Sequence, residues 1–117
     1  MGPKHLPPDI TDVQGIMRSI CDKWALLILH QLSLGTKRHG ELRRALQGIS
    51  HKMLTQTLRK LERDRLVRRT VHPVVPPRVD YALTRLGRTL TGPLHALYRW
   101  TERHLREIQR ARRMPPS

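Results

Sequence analysis

Lys52, Thr55, Gln56, Arg59 and Arg63 recur at the period of an α-helix, so a helix through them gathers all five on one side. Their side chains end in hydrogen-bonding groups, and most are long and cationic. Such a face suits the major groove of duplex DNA, where Arg and Lys reach guanine edges and Gln pairs with adenine. Lys60 belongs to the same basic run. Ser50 and His51 stand at its start, where free backbone N–H groups and a hydroxyl favour a phosphate. The plainer alternative is an ordinary amphipathic helix with a solvated charged face.

Other chemistry is poorly represented. The seven His, at 5, 30, 39, 51, 72, 95 and 104, include no pair at zinc spacing with a helix-borne Glu, and there is one cysteine. No nucleophile elbow, P-loop or dinucleotide-binding glycine pattern occurs, and the few carboxylates mostly lie beside arginines. The chain does not read as an enzyme, and no metal or cofactor is expected. Cys21 has two readings: a small buried hydrophobe, or a reactive thiol activated by neighbouring Lys23. A single cysteine excludes an internal disulfide framework and fits a reducing cytoplasm.

The charge balance narrows the partners. Lys and Arg outnumber Asp and Glu by 23 to 9, a formal net charge of +14 over 117 residues. That excess repels itself in a compact chain and favours a polyanion, nucleic acid first and an anionic membrane surface second. No apolar run approaches the ~20 residues of a spanning helix, and MGPKHLPPD lacks the apolar core of a signal peptide. From Lys37 to Arg69 there are 11 basic and 3 acidic residues, so the charge concentrates around the polar face described above. Phe is absent, which leaves a core of Leu, Ile, Val, Met and Trp that a partner subunit would help to complete.

These residues need elements to hold them. Residues 1–8 carry three Pro and are expected to form a disordered arm. One domain is expected over 9–111, with a basic tail at 112–117. Thr11 and Gln14 form a capping box for a first helix with Val13, Ile16, Met17 and Ile20 on its apolar side. Asp22 caps a second helix, apolar nearly all round and therefore central, which Gly35 ends. Thr36-Lys37-Arg38 connects it to a short third helix with Leu42, Ala45 and Leu46 inward. After Gly48, Ser50 caps the helix of 50–64, whose Leu54, Leu58 and Leu61 make the buried stripe. Two short helices around a glycine turn, the second basic outside, make a helix-turn-helix.

Beyond Asp64 the period shifts toward two. LVRRTVH (66–72) and RVDYALT (78–84) read as a hairpin, a wing, with PVVPP as its stiff tip. Thr84 caps a further helix with Leu86 and Leu90 inward, broken near Gly92-Pro93. The last helix runs to about Ala111, with Leu94, Leu97, Tyr98, Thr101, Leu105 and Ile108 along one side and nothing after it to cover them. The fold class is thus mainly α with a small β-hairpin wing, a winged helix-turn-helix; the apolar side of the first helix suits either a partner chain or packing within its own, and that of the last suits another subunit.

Residues 23–90 resemble the HxlR-type winged-helix transcriptional regulators of the MarR-like group. The likeness rests on KW-x-LLIL, ELRRAL-x-GIS, ML-x-Q-x-LR-x-LE, VPPRVDY and LT-x-LGR-x-L, in that order. It implies a homodimer on operator DNA, dimerised through its N- and C-terminal helices, with the 50–64 helix in the major groove and the wing toward the minor groove. Carried over by position, Lys52, Thr55, Gln56 and Arg59 face the groove and Arg78 approaches the minor groove. Arg38, Arg43 and Arg44 on the third helix hold phosphates. Three departures stand out. Thr11-Asp12 replaces the family's Cys-Pro pair, Cys21 replaces a glycine, and His39 replaces an aromatic residue. The resemblance also implies room for a small-molecule effector near Met17, Trp24, Leu27, Leu97 and Trp100. The rival readings are a non-specific architectural DNA-binding protein and a redox or electrophile sensor acting through Cys21.

Overall fold

The computed structural model describes residues 10–114, so the expected arm at 1–8 and residues 115–117 of the expected tail lie outside it. Helix α1 (Ile10–Ile20) contains Thr11 rather than starting after it, so the expected capping box does not set its boundary. Helix α2 (Lys23–Ser33) begins at Asp22, whose carboxylate accepts from the Trp24 and Ala25 N–H groups at 3.1 and 3.2 Å. It buries Ala25, Ile28, Leu29 and Leu32. Leu27, on the opposite side, stays exposed, so α2 is central on one side only. Gly35, with φ 143°, turns the chain out of the helix.

Thr36-Lys37-Arg38 is more than a connection. Lys37–Arg38 forms a short strand, β1, that pairs with β3 (Arg78–Leu83), which pairs in turn with β2 (Val67–His72). All pairs are antiparallel, with Lys37 opposite Tyr81 and Arg69 opposite Tyr81 from the other side. Two residues of alternating exposure are too short for a period to show, so the third strand was silent in the sequence.

Helix α3 (His39–Ala45) starts where the Glu41 carboxylate accepts the Arg38 N–H at 2.9 Å. Leu42 and Leu46 are buried; Ala45 is exposed, because only the i, i+4 pair faces the core on so short a helix. Gly48, with φ 91°, reverses the chain, and Ser50 caps helix α4 (His51–Arg63) by accepting the Met53 N–H at 3.0 Å. Leu54, Leu58 and Leu61 are buried as expected, each contributing ~1.5–3 kcal/mol relative to exposure. Thr57 is buried with them and donates its hydroxyl to the Met53 carbonyl at 2.8 Å.

Helix α4 ends in a paired-bond stop: the Arg65 N–H donates to the Glu62 carbonyl and the Leu66 N–H to the Leu61 carbonyl. Arg65 takes the left-handed conformation, φ 62°. Helix α5 (Arg85–Arg88) is capped by Thr84, whose hydroxyl accepts the Gly87 N–H at 3.0 Å. Leu86 is exposed rather than inward, and Gly87 takes the buried place against Leu66 and Leu83. Helix α6 (Thr91–Arg113) starts before Gly92-Pro93. Pro93 lies in its first turn, where no N–H is needed, so the break falls at Thr89-Leu90 instead. The helix runs through Arg112 and Arg113, the start of the expected tail. The core joins α2, α3, α4 and the inner side of the sheet, with Leu94 and Ile20 packed at its margin.

Candidate nucleic-acid interface

The N-cap at Ser50 and the buried leucines fix how α4 is rotated, and its outer side follows from that. Lys52, Gln56, Arg59 and Arg63 are exposed, and among the described residues none has an ion pair or a side-chain hydrogen bond. Long hydrogen-bonding side chains are therefore aligned and unspent. Thr55 differs: it is half-buried, and its Oγ1 lies 3.1 Å from His39 Nε2. Lys60 lies off the main face, toward α1, beside Arg18 and Asp22. The Ser50 hydroxyl oxygen is engaged as the cap, while His51 is exposed at the first position of α4.

His39 joins α3 to α4. Its ring centroid is 4.5 Å from that of His51. Burial, then repulsion from His51 and from Arg43, lowers its pKa below the ordinary 6.5. The His39 imidazole is thus a contact between the two helices of the motif rather than a free surface group. Arg43 and Arg44 are exposed on α3. Arg38 is not on the third helix: it is in β1, immediately before α3.

Asp80 organises the wing. Its Oδ2 is 2.9 Å from His72 Nε2, and its Oδ1 is 3.6 Å from Arg78 Nε and 4.0 Å from Arg38 Nε. One carboxylate so ties together β1, β2 and β3. Arg78 Nε is enclosed without a hydrogen bond, and the Arg78 side chain is 42% exposed. Asp80 is a functional residue that the sequence analysis does not single out. The signal was there, since Arg78 and Asp80 are two apart on a strand and share a side.

The proposed dimer residues lie on two helices that bury nothing fully. On α1, Val13, Ile16 and Met17 are exposed; on α6, Leu97, Tyr98, Thr101 and Leu105 are exposed, with Leu94 and Ile108 half-buried. Between α2 and α6 runs an apolar groove of about 380 Å³, lined by Leu26, Leu27, His30, Leu97, Tyr98 and Leu105 among others. Of the five residues expected around an effector, Leu27 and Leu97 line this groove. Met17 is on α1, Trp24 packs at the core margin with Lys23 Nζ 4.6 Å from its ring, and Trp100 stacks on His104. Cys21 is exposed between α1 and α2, which overturns its reading as a buried hydrophobe. Among the described residues no helix is long and apolar enough to cross a membrane.

A helix-turn-helix whose second helix turns a bare basic side outward, followed by a hairpin and framed by apolar terminal helices, defines a winged helix-turn-helix protein. The chain belongs to the HxlR-like helix-turn-helix family, whose model matches residues 19–109. It is 42% identical over 93 residues to the HTH-type transcriptional regulator YtfH of Escherichia coli, covering 80% of this chain and 74% of that one. The structure of YtfH from Salmonella typhimurium superposes with a TM-score of 0.81 at 38% identity, covering 87% of this chain and 91% of the other. The redox regulator HypR in its reduced form superposes at 0.78 and 36% identity, covering 86% and 98%. The protein is a transcriptional regulator of the helix-turn-helix type and not an enzyme.

Proposed function

We propose that this protein is a sequence-specific repressor that binds a pseudo-palindromic operator as a homodimer in the cytoplasm. Two copies of α4 enter successive major grooves ~34–36 Å apart. Lys52, Gln56 and Arg59 read base edges, with Thr55 beside them placed by His39. Arg38, Arg43, Arg44, Ser50, His51 and Lys60 hold phosphates, and Arg78 approaches the minor groove from the wing. The observation that carries this reading is the outer side of α4, where Lys52, Gln56, Arg59 and Arg63 are exposed, cationic or amide-bearing, and without side-chain partners among the described residues. The apolar sides of α1 and α6 supply the contact between subunits.

The test is competition between the selected operator and excess random duplex. A regulator keeps its operator at a ratio of at least ~10³. A charge-driven architectural protein shows no such preference, and that outcome would replace the proposal.

A second reading adds a signal to the first. Cys21 is exposed, and the redox regulator HypR shares the fold. In this reading modification of the Cys21 thiol by an oxidant or electrophile alters the geometry between α1 and α2 and releases DNA. Cys21→Ser should abolish release by thiol-reactive compounds; unchanged release would remove Cys21 from the mechanism and leave the groove near Leu27 and Leu97 as the place for an effector.

A further inference from the structure

Helix α6 carries Arg99, Arg103, Arg106, Arg110 and Arg113 at spacings of four, three, four and three residues, so one side of the helix gathers all five. All are exposed, and among the described residues none has an ion pair or a side-chain hydrogen bond. Glu102 lines the groove toward α2 instead, and Glu107 makes no ion pair with any of the five. Each arginine thus has another about one turn away, and like charges at that spacing weaken a helix. A side kept only for solubility mixes signs; this one does not.

The place of α6 in the fold is an independent observation. Helix α2 buries Ala25, Ile28, Leu29 and Leu32 in the core it shares with α4. Its other side turns Leu26, Leu27 and His30 to the apolar side of α6. Helix α2 therefore separates α4 from α6. The outer side of α4 and the arginine side of α6 point in opposite directions, and one straight duplex cannot lie against both. A subunit contact through the apolar side of α6 leaves the arginine row free.

We propose that the arginine row of α6 is a second nucleic-acid surface, which takes the phosphate backbone of another duplex while α4 holds the first. The row contains no lysine, and the planar fork of each guanidinium matches phosphate oxygens in pairs. It spans ~21 Å at 1.5 Å per residue. Over that length one strand of duplex presents about six phosphates, so each arginine has one within reach. An anionic membrane fits less well. A helix lying on a membrane inserts its apolar side, and the apolar side of α6 faces α2. That this duplex is the second one rests on the operator reading of α4; the attraction of the row for a phosphate backbone does not.

The test saturates the full chain with unlabelled operator duplex and titrates it with labelled random-sequence duplex. One variant carries Arg99→Gln, Arg103→Gln, Arg106→Gln and Arg110→Gln. A control of equal net charge carries Arg18→Gln, Arg68→Gln, Arg85→Gln and Arg88→Gln. Gln is a good helix former and the like-charge pairs are gone, so the thermal midpoint of the α6 variant should not fall. Wild type and control should take up the labelled duplex. The α6 variant should bind it with a plot of log affinity against log salt about four units shallower, one unit per arginine, while holding the operator as the wild type does. The proposal is overturned if the wild type takes no second duplex, if the α6 variant takes it equally well, or if the control loses it equally. Uptake of phosphatidylglycerol vesicles by the wild type alone, with no second duplex, overturns it in favour of a membrane surface. Should the wild type bind no operator, the reading of α4 fails on its own. The random duplex then decides the row by itself, and equal salt slopes for wild type and α6 variant overturn it.

Discussion

Among the described residues Gln56 and Arg59 on α4 have no side-chain partner, and their removal should therefore be felt by the ligand rather than by the fold. Gln56→Ala or Arg59→Ala should cost ~1–3 kcal/mol of operator binding and relax the preference at one base pair per half-site. Mobility-shift titration on single-position operator variants measures this, and an equal loss on random DNA would assign the residue to phosphate instead. His39 behaves oppositely, because it belongs to the fold. Burial, followed by repulsion from His51 and Arg43, lowers its pKa below 6.5, so the unfolded chain takes up a proton that the native imidazole resists. Its contribution to stability is complete above the unfolded value and declines as pH falls toward the lowered native one. Urea midpoints measured at about pH 7.5 and about pH 5.5 should fall further for the wild type than for His39→Gln. Parallel losses would take His39 out of the pH response. Residues such as Ser50 and Leu54 were legible in the sequence because a cap and a helical stripe are local patterns. The contact of His39 with Thr55 spans 16 positions, and no local pattern reports it.

The elements differ in the same way. The position of helices α2 and α4 and of the hairpin was legible because each carries its own start signal and its own period. Strand β1 was not, since two residues have no period and gain their identity only from Tyr81 and Asp80 across the sheet. The α5 turn was misread at Leu86 for a related reason: on a helix of four residues the buried place goes to whatever fits, and here that is glycine. A Cβ on Gly87 would overlap the Leu66 carbonyl and crowd Leu83. Gly87→Ala should destabilise the protein by roughly 1–3 kcal/mol, because backbone at the start of the wing has to move. A lower urea midpoint is the expected result, and an unchanged one would mean that α5 can shift freely away from β2. The expectation of a helix wholly enclosed at α2 failed because its Leu26, Leu27 and His30 side faces the groove beneath α6 instead of the core.

The whole molecule is flat, 61 × 50 × 24 Å, and its terminal helices carry apolar residues that the core leaves uncovered. Leu97 is 51% exposed and Leu105 45%, on the helix that forms one wall of the groove. Leu97→Glu should shift sedimentation equilibrium toward monomer and weaken operator binding by more than tenfold, the loss of one half-site's ~1.4 kcal/mol or more. A dimer of unchanged affinity would move the subunit contact elsewhere. Operator binding as proposed requires two outward copies of α4 to meet one duplex. Its most direct test is hydroxyl-radical footprinting on a site selected from random DNA. Two protected half-sites should appear with centres one helical turn, ~10–10.5 base pairs, apart, and both should be lost in Gln56→Ala/Arg59→Ala. A single protected patch, or protection that the double variant leaves intact, would contradict it.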